Sequence, residues 1–197
     1  MRHRSKRSLL DEEERYVSRA AYKLDSVADE LKLDFKDKLV LDVGSSTGGF
    51  TDYALNNGAR TVIAVDKGTD QLAVKLRGDS RINLHEKTDI RKFKTLLIPD
   101  ILLVDVSFVS LREILPDLVR FCAKDTLIIA MAKPQFEAKT NKDLNNGVVK
   151  NERVRRDIFR SFELWLKPRF FIIAKADSRV EGLKGNKERF YKLKCSK

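Results

Sequence analysis

Apolar positions follow two rhythms along this chain. From Arg15 onward, Val17, Ala21, Leu24, Ala28 and Leu31 recur at steps of four, three, four and three, the spacing of one helix face. Short apolar runs follow at 39–43, 61–65, 81–84, 100–105, 126–131 and 170–175. Each is four to six residues long and reads as a strand covered on both faces. Helices are predicted between them near 50–57, 71–76, 110–121 and 152–166. The last run, 189–195, differs: Tyr191, Leu193 and Cys195 alternate with Lys192 and Lys194, as in a half-exposed antiparallel strand at or near an edge. Strand–helix alternation that ends this way predicts an α/β fold with a mostly parallel, doubly wound sheet and an antiparallel last strand. Residues 1–14 read as a basic, then acidic leader, and 15–197 as one folded domain. The stretch 134–149 has no clear period and is either a lid or binding loop or a plain surface connection.

The strongest local signal follows the first strand: Leu41-Asp42-Val43-Gly44-Ser45-Ser46-Thr47-Gly48-Gly49-Phe50. A glycine turn between a first strand and a helix is where such sheets bind ligands. Ser46 stands where a dinucleotide fingerprint needs its second glycine, and no Gly-Lys-Ser/Thr ending makes a phosphate loop. Gly44 allows the turn, while Gly48 and Gly49 are expected to let a bound molecule come close to the backbone. Asp66 ends the next strand, 24 residues after Asp42, where an acidic residue takes ribose hydroxyls. Together these features point to an adenosyl ligand.

Composition narrows the class of partner. The 197 residues carry 40 Lys+Arg against 29 Asp+Glu, a net charge of +11, which suits a polyanion, nucleic acid before an anionic membrane. The content of 42% hydrophobic residues excludes a disordered chain. Two cysteines and two histidines suit neither a disulfide framework nor a metal site. No apolar run approaches the ~20 residues of a membrane span, and the N-terminus lacks the apolar core of a secretory signal. A soluble, cytoplasmic protein is the expectation.

The turn resembles the S-adenosylmethionine turn of FtsJ-like ribose methyltransferases, and the resemblance extends further. Tyr16-Val17-Ser18-Arg19-Ala20-Ala21-Tyr22-Lys23-Leu24, Asp105-Val106-Ser107-Phe108-Val109-Ser110-Leu111, Lys133-Pro134-Gln135-Phe136-Glu137 and Gly147-Val148-Val149 are all similar to the TlyA family. Its members are rRNA 2′-O-methyltransferases, also known as hemolysins. The resemblance implies a Rossmann-like S-adenosylmethionine-dependent methyltransferase fold. It places Asp42, Gly44, Ser45, Ser46, Thr47, Gly48, Gly49 and Phe50 around the methionine part and the sulfonium. Asp66 with Lys67 is placed at the ribose, and Asp89 with Ile90 at the adenine, with Asp105 bordering the cofactor. Lys67 stands where the family usually has valine, and Ser18-Arg19-Ala20-Ala21 is closer to FtsJ proper than to the usual TlyA glycine pair. TlyA proteins carry an S4 RNA-binding domain ahead of the methyltransferase. Here 15 residues precede the first shared motif, and the sequence leaves open whether such a domain belongs to this protein.

The same resemblance implies a Lys-Asp-Lys-Glu catalytic set at Lys23, Asp105, Lys133 and Glu188. Asp105 ends the fourth strand and Lys133 follows the fifth, both at the carboxyl edge where ligands bind. A lysine is a poor base near its free pKa of ~10.4, but a neighbouring ammonium and partial burial lower it toward general-base range. Lys133 is the expected base, held near the methyl by Asp105, with Lys23 and Glu188 orienting the ribose. Taken singly, each has a plainer reading: a polar helix face for Lys23, a helix cap or turn for Asp105, a loop start for Lys133, a charge in a basic tail for Glu188.

Three basic clusters stand out: Arg2, Arg4, Lys6 and Arg7; Arg153, Arg155, Arg156 and Arg160; and the segment 167–197, with ten Lys/Arg against three acidic residues. Such clusters suit phosphate contacts, so ribosomal RNA or a ribosomal subunit is the expected partner, with no membrane and no metal; a homo-oligomer is left open. A non-catalytic RNA-binding or assembly protein that retains the fold is the competing reading. A small-molecule methyltransferase fits the charge poorly. A membrane-active hemolysin ranks lowest, because the sequence shows no apolar span and no strongly amphipathic basic helix.

Overall fold

The computed structural model describes residues 15–140 and 144–196; the leader 1–14, with its basic cluster, lies outside the described residues. Seven strands form one sheet: β1 (Leu39–Val43), β2 (Thr61–Val65), β3 (Ile82–His85), β4 (Ile101–Val104), β5 (Leu127–Ala132), β6 (Phe170–Asp177) and β7 (Arg189–Cys195). Their order is β3-β2-β1-β4-β5-β7-β6. The first five run parallel, and β7 is antiparallel to both neighbours. Helices α1 (Arg19–Ala28), α2 (Gly49–Asn56), α3 (Leu111–Leu118), α4 (Pro134–Glu137) and α5 (Glu152–Leu166) complete the domain.

Central strands β1 and β4 are buried along their whole length, as expected of strands sandwiched between helix layers. One layer holds α1 and α2, whose Ala21, Leu24, Val27, Phe50, Tyr53 and Ala54 pack on Val40, Val62, Leu103 and Ile129. The other holds α3 and α5, whose Leu111, Leu115, Phe159 and Phe162 pack on Leu41, Val104, Ile128 and Tyr191.

The structure revises five details of the sequence pattern. In α1 the buried face runs through Ala21, Leu24 and Val27, with Ala28 only half-buried and Val17 ahead of the helix, its N–H donated to Asp52 Oδ2 at 2.8 Å. Residues 71–76 form no α-helix but a 3-10 turn, Val74–Leu76. Asp70 and Gly78 flank that segment in left-handed conformations, which leaves no room for successive α-helical turns. Strand β7 lies near the edge, one strand in from it. It is inserted between β5 and β6, which buries Phe190, Tyr191 and Leu193 and makes β6 the exposed edge, with Phe171 and Ile173 facing outward. The stretch 134–149 begins with the helical turn of α4 and contains a bridge between Asn145 and Val148. Finally, α5 is an amphipathic basic helix after all, but its apolar face (Ile158, Phe159, Phe162, Leu166) is buried in the domain.

Two glycines are required by close approach. A Cβ on Gly44, at φ +83°, would lie 2.5 Å from the Asp105 carbonyl oxygen. A Cβ on Gly49 would lie 2.1 Å from Ser18 Oγ and 2.9 Å from Ala20 Cβ, so the first turns of α1 and α2 meet there without a side chain between them. The close approach expected from a bound molecule at Gly48 and Gly49 is thus made largely by the chain itself, since Gly48 meets Leu72 and Leu76 in the same way. Overpacking of this kind costs ~1–3 kcal/mol, and a chain of this size loses roughly 2–4 °C of Tm per kcal/mol. Thermal unfolding of Gly49→Ala should therefore show a drop of several degrees; an unchanged Tm would mean that α1 is free to move away from α2.

Candidate active site

The parallel strands deliver their carboxyl ends to one edge of the sheet, and the side chains singled out in the sequence gather there. Lys133, the residue after β5, places Nζ 2.7 Å from Asp105 Oδ1, and Asp105 is the residue after β4. Because β4 and β5 are adjacent and parallel, the pair joins two neighbouring strand ends. Lys133 also donates to Ser107 Oγ at 2.7 Å. On α1, Lys23 Nζ lies 2.6 Å from Glu188 Oε2. Glu188 is almost wholly buried, and that burial raises its pKa against the opposing pull of the Lys23 and Lys133 ammonium groups. The four side chains therefore form two ion pairs in one electrostatic neighbourhood. Asp105 is not a helix cap: α3 is capped by Ser110, which accepts from the Arg112 N–H.

Beside these pairs the glycine turn encloses a cavity of about 130 Å³, lined by Gly44, Ser45, Ser46, Thr47, Gly49 and Phe50 together with Ala20, Asp105 and Ser107. Ser45 Oγ and Asp42 Oδ1 are buried without a hydrogen-bond partner, and buried polar groups normally have one. Asp42 Oδ2 accepts from Thr51 Oγ1 at 2.7 Å. Full burial pushes the Asp42 carboxyl up to about 7, partly offset by Thr51 and reinforced by Asp105.

The remaining residues read as ligand-binding lie outside the lining of this cavity. Asp66 accepts from the N–H groups of Ser46 (2.8 Å) and Gly68 (2.6 Å), one on each oxygen, and a carboxylate retains further lone pairs for hydroxyl donors. Asp89 is held by Arg91 (2.6 Å) and Lys67 (2.9 Å); those contacts, Arg91 foremost, keep its carboxyl below the usual carboxylate range. An adenine amino group would reach Asp89 only in place of one of these exposed cations. The Ile90 side chain belongs to the core.

Several supporting residues were not read from the sequence. Glu137 is buried and accepts from Ser110 Oγ (2.6 Å) and the Leu111 N–H (2.7 Å), tying the Lys133 loop to the start of α3. Asn186 is buried; it accepts from the Val149 N–H and donates to the Gly147 carbonyl, both at 3.0 Å. Arg155, counted with the basic surface, is turned inward to Asp177 (2.9 Å) and the Lys187 carbonyl (2.9 Å). Ser107 and Glu137 belong to the motifs at 105–111 and 133–137, so their neighbours were signals for them. The roles of Asn186 and Arg155 are set by tertiary contacts alone. Among the described residues no group of His, Cys, Asp or Glu is placed to hold a metal ion, and no helix is long and apolar enough to cross a membrane.

A sheet of this order with a glycine turn after β1 is the architecture of methyltransferases. The FtsJ-like methyltransferase model matches residues 16–194, and the chain belongs to that family. It is 38% identical over 178 residues to the 23S rRNA (cytidine-2′-O)-methyltransferase TlyA of Campylobacter jejuni, covering 89% of this chain and 70% of that protein. It is 43% identical over 150 residues to YqxC of Bacillus subtilis, which is named as an rRNA methyltransferase, covering 74% of this chain and 53% of that protein. The chain thus spans about half the length of the latter. A crystal structure of a Lactococcus lactis protein described as a hemolysin superposes with a TM-score of 0.86 at 36% identity, covering 93% of this chain and 90% of that one.

Asp42 yields a test by titration. Between the unfolded-chain value of ~4 and about 7, the folded chain holds a proton that the unfolded chain has released. The stability linked to that proton is complete below pH ~4 and is lost as the pH rises toward and through the folded value. Urea midpoints taken from about pH 5 to about pH 8 should fall for the wild type relative to Asp42→Asn, which has no such group to titrate. Parallel curves would show that Asp42 is ionised in the folded chain throughout.

Proposed function

We propose that this protein transfers a methyl group from S-adenosylmethionine to the ribose 2′-hydroxyl of a ribosomal RNA nucleotide, with Lys133 as general base. The observation that carries the reading is the placement of two lysine–carboxylate pairs at the carboxyl edge, directly beside the glycine-turn cavity. The relatives named for rRNA ribose methylation support the substrate class. The residues present suit the cofactor. The partnerless Ser45 hydroxyl in the cavity wall offers a polar contact to the methionyl arm, and Asp66 retains acceptor capacity for ribose hydroxyls. A cavity of about 130 Å³ takes only part of a nucleoside-sized ligand, so the adenosine would lie along the surface toward Asp66 and Asp89. When bound, S-adenosylmethionine supplies an electrophilic methyl group on a sulfonium.

The chain's own task is alignment and proton removal. Lys133 releases the proton of its ion-paired ammonium to solvent and then takes the 2′-hydroxyl proton onto Nζ as the oxygen attacks. Asp105 and Ser107 fix that nitrogen at the cavity wall and stabilise the ammonium that forms. Lys23, held by Glu188, presents its ammonium to the ribose oxygens and aligns them.

Phe108 completes the substrate side. It is 92% exposed and adopts φ +65°, an uncommon conformation for a bulky residue, and its ring lies 5.5 Å from that of Phe136. An exposed aromatic held at the mouth of the site provides a stacking platform for a base.

Three substitutions separate these roles in a methyl-transfer assay on ribosomal RNA and subunits. Lys133→Ala should lower turnover by ~10²–10⁴ and leave S-adenosylmethionine affinity nearly intact, because the base acts in the transition state. Lys133→Arg should not rescue it, since a guanidinium keeps its proton. Phe108→Ala should raise KM for RNA about tenfold, within the range of one lost base stack. Near-normal turnover by Lys133→Ala would remove the base assignment. No calorimetric binding of S-adenosylmethionine by the wild type would remove the methyl-transfer reading and favour the non-catalytic RNA-binding alternative.

A further inference from the structure

A second concave feature lies on the other face of the sheet. Between α5 and the β6 edge runs an open groove of about 750 Å³, lined by Arg153, Arg156, Arg160, Lys175 and Arg189, with Asp157 and Glu163 as its acidic members. Glu163 is already engaged: Lys175 (2.8 Å), Arg189 (3.5 Å) and the Tyr191 hydroxyl (3.0 Å) all converge on it. Arg189 is further held by Asp177. Arg153, Arg156 and Arg160 make no ion pair among the described residues and are exposed. Spaced three and four apart on one helix face, they form a row about 10 Å long. Arg155, the inward neighbour, anchors the helix that presents them.

The groove adjoins the candidate active site through the backbone. Arg189 pairs with Ala132 across β5 and β7, and the residue after Ala132 is Lys133. Adjacent strands are about 4.8 Å apart. Glu188 and Arg189 are consecutive and point to opposite faces: Glu188 to Lys23 on α1, Arg189 over the Phe159 ring of α5. A polyanion with one unit at Lys133 therefore needs to pass only over this corner of β7 to enter the row of arginines.

We propose that the groove between α5 and β6 binds the phosphodiester backbone of RNA flanking the target nucleotide. The row of unpaired guanidiniums matches a run of two or three consecutive phosphates, and arginine holds phosphate oxygens in bidentate geometry. Such contacts set register and supply affinity without reading sequence. The direction of the strand, from Lys133 into the groove, rests on the methyl-transfer reading; the binding itself rests on charge and shape.

The test uses the full chain and a triple variant, Arg153→Ala with Arg156→Ala and Arg160→Ala. These side chains are exposed, so thermal unfolding should match the wild type. Filter binding to purified ribosomal RNA should show at least a tenfold weaker Kd at low salt. The slope of log K against log salt should flatten by about two, since each lost phosphate contact removes ~0.7–0.9. In the methylation assay KM for RNA should rise, with kcat and the Kd for S-adenosylmethionine unchanged. If the variant binds RNA with the wild-type Kd and slope while the wild type methylates RNA, the groove proposal falls and the methyl-transfer reading stands. If the wild type transfers no methyl but binds RNA with a slope that the variant flattens, the methyl-transfer reading falls and the groove stands. Loss of binding to phosphatidylglycerol vesicles with unchanged RNA binding would overturn the proposal in favour of a lipid surface.

Discussion

Everything at the carboxyl edge depends on one contact, the Lys133 amine against the Asp105 carboxylate. Removing two charges from water is costly, and their attraction offsets that cost only when geometry and further hydrogen bonds are good. Here the geometry comes from β4 and β5, which are adjacent, parallel and in register up to the pairing of Val104 with Ala130; the further hydrogen bond comes from Ser107. Each partner is the first residue after a buried strand, so the sheet fixes where both side chains begin. The glycine turn closes on the cavity wall there because Gly44 comes within contact of the Asp105 carbonyl.

The second pair is built differently. Lys23 is carried by α1 and Glu188 by the segment leading into β7, so its geometry depends on helix packing and on a loop. The tight contact of Gly49 with Ser18 and Ala20 fixes α1 against α2. Asp52, reaching back to the Val17 N–H, fixes the approach to α1. The domain thus positions one lysine by strand register and the other by helix packing, and Asp105 of the first pair lines the cavity.

The central strands were legible because burial on both faces leaves an unbroken apolar run, and the limits of β1 and β2 follow those runs residue for residue. Order across the sheet was not. Alternation in 189–195 signalled an antiparallel strand, but nothing local records that β6 folds outside β7, which reverses the exposure of the two. A similar limit applies to charge. Arg153, Arg155 and Arg156 are equivalent in a count of cations, yet the helix turns Arg155 into a buried pairing with Asp177 and leaves its neighbours in solvent. The site residues were legible as motifs, and their pairing into lysine–carboxylate couples required the fold.

Asn186 uses its side chain and its backbone separately: the side-chain amide bonds to both Gly147 and Val149, while the main-chain carbonyl accepts from the Gly182 N–H. Separating the segment around Val149 from the body of the domain breaks both bonds of a buried amide, and leaving such a group unsatisfied costs about 1–3 kcal/mol. Glu188, the partner of Lys23, lies two residues beyond Asn186, so one short stretch of chain carries both the anchor of the Val149 segment and the carboxylate that holds Lys23.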